Sequence, residues 1–151
     1  MNIVSLKSMK ITKKNDIEPK FKCGTRKAMN ELSKELNLPL EEWMQDWPYE
    51  VVQAEDIEKY LKFYNTTEDE DKKFILMEML IQSVEEQSNN KKFLNYWNII
   101  EKIIEKDFKI HEYTVWYWCC FEEDSINNEI ECDFWRITQN LRELWNKLIM
   151  T

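Results

Sequence analysis

The sequence predicts an all-α fold: a single-domain bundle of about six to seven helices, preceded by a basic, partly irregular N-terminal arm. Three observations carry this reading. Gly24 is the single glycine in 151 residues, and only Pro19, Pro39 and Pro48 add further breakers, so most of the chain is free to be helical. Apolar residues recur at helical spacing over several stretches. The one run whose aromatic and β-branched residues suit a strand, Tyr113 to Phe121, has no evident partner strand.

In chain order, residues 1–27 hold a short strand or helix near Ile3–Ile11 and an irregular stretch around Pro19 and Gly24. Ala28, Leu32 and Leu36, beside Met29, mark the buried face of a helix that Pro39 ends. A short helix from Leu40 to about Asp46 follows, broken by Trp47-Pro48, with Tyr49 to Gln53 as a connector or short extended piece. Ile57, Tyr60, Leu61 and Tyr64 mark the next amphipathic helix. Thr67 and Glu70 read as a capping box, and the acids Glu68 to Asp71 suit a helix N-terminus through its dipole. Phe74, Met77, Ile81 and Val84 continue that helix. Ile75, Leu76, Met79 and Leu80 widen its apolar surface, which places it centrally. Asn89-Asn90 interrupts before a helix burying Phe93, Trp97, Ile100 and Ile104. A buried helix from about Ile110 to Phe121 is preferred over a strand. The last helix buries Phe134, Ile137, Leu141, Leu144, Trp145 and Leu148.

This length suits one domain that buries roughly two-thirds of its unfolded surface. The basic arm, residues 1–27, belongs to the same domain as the acidic helical part, residues 28–151. The arm has eight bases against two acids, and the remainder has thirteen bases against twenty-seven acids, within a net charge of −8. The acidic body disfavours nucleic acid and anionic membrane and favours a basic protein partner. Solubility alone also accounts for such a charge. Lysines outnumber arginines, and Phe21 is the arm's one aromatic residue, so neither base readout nor base stacking is expected. Val115 to Phe121, the longest apolar or aromatic stretch, is far short of the roughly 20 residues that span a bilayer. Lys7 and Lys10 interrupt the first apolar residues, so no signal peptide is read and the cytoplasm is the expected location. The four cysteines then read as reduced, buried small hydrophobes.

Much chemistry is excluded at once. A single glycine leaves no phosphate loop, dinucleotide fingerprint or nucleophile elbow. The one histidine, His111 beside Glu112, reads either as a base polarised by a carboxylate or, more plainly, as a helix-end histidine that is partly exposed or hydrogen-bonded. His111, Cys119, Cys120 and Cys132 match no zinc spacing, and no Glu-x-x-His pair exists for a di-iron centre. No metal and no cofactor are therefore expected. Asp71, Glu78 and Glu85, with Gln82, form one helical stripe. A solvated face is the plainer account of it and a cationic pocket the sharper one, with Glu78 singled out by its apolar neighbours.

Two stretches are candidates for partner binding. Glu122 to Asp133 holds six acids and no base: Glu122, Glu123, Asp124, Glu129, Glu131 and Asp133. It is not an EF-hand, since Ile126 stands at a ligand position and the glycine is missing. It reads as a solvated loop or as the electrostatic footprint of a basic partner. Trp43, Trp47 and Tyr49, set among Glu41, Glu42 and Asp46 near a chain break, read as a lid folded onto the helices or as interface anchors. The function expected is a small acidic protein-binding module, such as an immunity protein or inhibitor that neutralises a basic toxin or nuclease, without catalytic activity. A self-associating structural protein, with a homodimer possible, is the alternative. A carboxylate-dependent enzyme using Glu78, Glu112 or Glu122 comes third.

Overall fold

The computed structural model describes residues 17–121 and 135–150, and every regular element within them is helical. These are α1 (Arg26–Leu36), α2 (Trp47–Val51), a 3-10 turn (Ala54–Asp56), α3 (Ile57–Thr66), α4 (Glu70–Glu85), α5 (Asn90–Lys106), α6 (Phe108–Cys119) and α7 (Thr138–Ile149). The fold is all-α. The chain divides into two compact units, Lys22–His111 and the remainder, with the division falling inside α6.

Within Lys22–His111, α4 is the hub. Nine of its sixteen residues are buried, from Phe74 to Val84, and they occupy all of the helix's circumference except the stripe of Asp71, Glu78, Gln82 and Glu85. A helix apolar on most faces must be surrounded, and α1, α2, the 3-10 turn, α3 and α5 all pack against it. The helices contribute one apolar face each. Ala28, Leu32 and Leu36 are buried on α1, Ile57, Tyr60, Leu61 and Tyr64 on α3, and Phe93, Trp97, Ile100 and Ile104 on α5.

The ends of these helices depart from the sequence reading in instructive ways. Helix α1 stops at Leu36 because Asn37 takes the left-handed conformation at φ 55°. Its N–H and that of Leu38 return to the carbonyls of Lys34 and Ser33. Pro39 therefore follows a helix that has already ended. No helix forms over 40–46; the chain makes turns there. The helix begins instead at Trp47-Pro48, the pair expected to break one. Proline tolerates the first turn because it has no N–H to leave unpaired and its φ is already helical. Asp69, not Thr67, caps α4, accepting from the amides of Asp71 and Lys72. With a cap one residue before Glu70, no Thr67–Glu70 box forms.

The described part of the other unit comprises 17–21, 112–121 and 135–150. The aromatic run is helical, as preferred, but α6 spans Phe108–Cys119. It ends where Cys120 turns left-handed at φ 54°. Its last carbonyls find donors on α7. Arg142 reaches the oxygens of Cys119 (2.6 Å) and Cys120 (3.1 Å), and the Thr138 hydroxyl reaches that of Trp118 (2.9 Å). Leu141, Leu144 and Trp145 are buried on α7 as expected. Trp135 lies ahead of this helix, outside any helical element, with its ring against that of Trp118 at 4.4 Å. Phe134, Cys132 and the expected element near Ile3–Ile11 fall outside the described residues. Cys119 is buried and Cys120 half-buried, whereas Cys23 is exposed, contrary to the expectation of buried thiols throughout.

Gly24 owes its identity to a close approach. A Cβ there would meet Cγ1 of Ile75 at 2.7 Å, and Ile75 is completely buried on α4 and cannot yield easily. Gly24→Ala is expected to cost about 1–3 kcal/mol by urea denaturation, the clash outweighing the smaller gain from a stiffer unfolded chain. Paired with Ile75→Ala, the same change should cost measurably less.

Candidate functional site

The stripe on α4 is not a uniform solvated face. Asp71 is exposed and Glu85 half-buried, but Glu78 lines a cleft of about 300 Å³ between α4, the start of α2 and the segment around Cys23. The buried residues Met77 and Met79 flank it. Burial pushes its carboxyl up to about 8; a hydrogen bond from the Tyr49 hydroxyl opposes this rise and the nearby Asp46 adds to it. Glu78 has no ion pair among the described residues. The cleft therefore holds a carboxyl that is largely protonated at neutral pH and poised to ionise.

The aromatic trio of the sequence reading is divided by the structure. Trp43 is 70% exposed, Tyr49 is half-buried at the cleft, and Trp47 is completely buried. Trp47 is withdrawn from any surface because its indole N–H bonds the Pro39 carbonyl at 2.6 Å while its ring fills the core. That bond closes the base of the 38–46 loop, and the Ser33 hydroxyl holds the same incoming stretch of chain through the adjacent Leu38 carbonyl at 2.6 Å. Met44 N–H to Glu41 carbonyl turns the tip. Trp43 thus stands on a pinned loop beside the exposed acids Glu41, Glu42 and Asp46. A sequence signal for this surface exists: between Lys34 and Lys59 there are eight acids and no base. The second candidate stretch, with Glu122, Glu123, Asp124, Glu129 and Glu131, lies outside the described residues.

His111 is neither exposed nor polarised by Glu112. It is completely buried, and its Nε2 lies 2.6 Å from the Tyr64 hydroxyl. That hydroxyl donates to Asp107 at 2.7 Å, so it accepts from a protonated Nε2. Lys73 closes the chain, 3.8 Å from Asp107 and over the Tyr64 ring. Burial pulls His111 down to about 3, opposed by Asp107 and aided by Lys22 and Lys73. Burial and Asp107 both hold the Tyr64 phenol protonated. His111 Nδ1 is buried with no hydrogen-bond partner. The Tyr64–His111 and Tyr64–Asp107 bonds tie α3 to the α5–α6 junction.

A second, shallower concavity of about 250 Å³ includes Lys72. Its ammonium is committed to Glu35 at 2.7 Å and Glu31 at 3.3 Å. Among the described residues no group of three or more His, Cys, Asp or Glu side chains can hold a metal ion, and no helix is long and apolar enough to cross a membrane. Comparison with protein-family models, curated proteins and solved structures finds no match.

Three outcomes are expected from these geometries. Tyr64→Phe should cost about 1–3 kcal/mol in denaturant, because it strands His111 Nε2–H and takes a donor from Asp107. By NMR, the lone imidazole should stay neutral from pH 7.5 to about 5, with Nε2 carrying the proton. Glu78 binds its proton more tightly folded than unfolded. Its contribution to stability is therefore full below about pH 4.5 and is lost as pH rises through about 8. Glu78→Gln should accordingly gain on the wild type between about pH 5 and 9, by on the order of 1 kcal/mol or more, as read from denaturation midpoints.

Proposed function

We propose that this chain is a small acidic protein-binding module whose Trp43 loop engages a basic partner, as an immunity protein engages a toxin or an inhibitor covers a nuclease. The observation that carries this reading is Trp43, a large aromatic left 70% exposed at the tip of a loop whose base is hydrogen-bonded in place. Tryptophan is the residue type most enriched at interface hot spots, and a pre-ordered loop loses little entropy on docking. Glu41, Glu42, Asp46 and Glu50 are exposed in the same stretch of chain without an ion pair among the described residues, which suits electrostatic steering of a basic surface.

Self-association is a second reading, favoured by Tyr117 and Trp135, both exposed and with rings stacked 6.4 Å apart. The two separate cleanly by experiment. A stoichiometric basic protein captured from source cells should be lost at high salt. Trp43→Ala should weaken it by roughly tenfold or more, and Glu41→Lys with Glu42→Lys should slow association. Retention of full affinity in both variants would reject the Trp43 loop as the binding face. A salt-independent dimer abolished by Trp135→Ala would support self-association.

A further inference from the structure

The cleft beside Glu78 has a composition that selects its ligand. Its apolar surface comes from Met29, Pro48, Ile75 and the ring of Tyr49, and its polar groups include the two carboxylates Glu78 and Asp46. No lysine, arginine or histidine lines it. A volume of about 300 Å³ lies at the small end of ligand-binding cavities. Tyr49 offers Glu78 a single hydroxyl donor, and neither carboxylate has a cationic partner among the described residues. A carboxylate in apolar surroundings is costly when its charge is uncompensated. An ammonium group is the partner it lacks, and an alkyl stem is what the apolar walls would cover.

We infer that this cleft is a binding site for an alkylammonium group, held by Glu78 and Asp46 with its carbon stem against Met29, Pro48 and Ile75. The source of that group is either a small free amine or the lysine side chain of a peptide; both present the same charge on the same kind of stem. This inference does not depend on the Trp43 loop being a partner surface. Binding is coupled to a proton. The cation stabilises ionised Glu78, so its binding expels the proton that burial otherwise keeps on the carboxyl. The other titratable groups facing Glu78 are Asp46 and Tyr49 from the start of α2 and Cys23 from the segment before α1.

The test is calorimetric titration of the full-length protein with n-butylammonium, with n-butanol as the uncharged analogue and Nα-acetyl-lysine methylamide as the side-chain analogue. The titrations are run at about pH 6.5 and pH 9, where both amines remain charged to a large extent. Saturable binding of an amine is expected, with n-butanol at least about tenfold weaker. Affinity should be at least about tenfold tighter at the higher pH, and proton release should be seen by changing the buffer's ionisation enthalpy. Glu78→Gln, verified as folded by circular dichroism, should abolish both the binding and its pH dependence. Tyr49→Phe serves as a second variant. By removing the one hydroxyl donor to ionised Glu78, it should shift the pH dependence upward while binding persists. Preference for the free amine identifies a small-molecule site, and equal or better binding of the lysine analogue identifies a peptide side-chain site. Equal affinity for butanol and butylammonium, undiminished binding by Glu78→Gln, or no saturation at tens of millimolar would each overturn the inference.

Discussion

Nine buried side chains spread around a sixteen-residue helix leave α4 almost no face of its own to give to water. An isolated helix of that kind would expose apolar surface on every side but one narrow polar stripe. Its neighbours must therefore enclose it, and the order of α1, α2, α3 and α5 around it is a solution to that single demand. Capping then sets helix ends. Asn37, Asp69 and Asn89 each end or begin a helix by satisfying backbone groups that the core cannot reach. The same enclosure explains the one glycine, because the chain before α1 runs so close to Ile75 that any side chain would collide with it.

Enclosure also decides the chemistry of the polar residues that α4 carries. Lys72 and Lys73 lie in the first turn, where the helix reaches its rim, and each finds a carboxylate on a neighbouring segment. Glu78 lies at mid-helix, where the surrounding elements leave only a cleft, and there the shortage of water alters its proton affinity. Asp71, Glu78 and Glu85 carry the same carboxyl group along the stripe. Distance from the helix ends makes the difference.

Periodicity made the helices legible: the apolar spacing of Ala28–Leu36, Ile57–Tyr64 and Phe93–Ile104 identifies buried faces because a single helical face repeats every three to four residues. It also pointed to a central α4. What it could not resolve were ends and tertiary partners. Trp47-Pro48 reads as a stop or a start with equal right until the proline's position in the first turn is known. His111 shows nothing in sequence of its bond to Tyr64, 47 residues away. Trp43 and Trp47 have the same acidic surroundings along the chain, yet one ring is on the surface and the other in the core. Glu78 was marked by its apolar neighbours, but the cleft around it depends on residues drawn from three separate segments.

The hydrogen bond from Trp47 to Pro39 has a consequence for how such a protein can change over time. The start of the 38–46 segment is tied through the Leu38 and Pro39 carbonyls and its end through the Asp46 carbonyl, which accepts from the amides of Tyr49 and Glu50; carbonyl positions are indifferent to the identity of the residues between them. The tip residues, Glu41 to Gln45, take no part in either tie. Folding and display are thereby assigned to different atoms. Lineages carrying this scaffold are free to exchange the exposed tip while inheriting the anchor unchanged, so the loop is a place where diversity can accumulate without loss of the bundle.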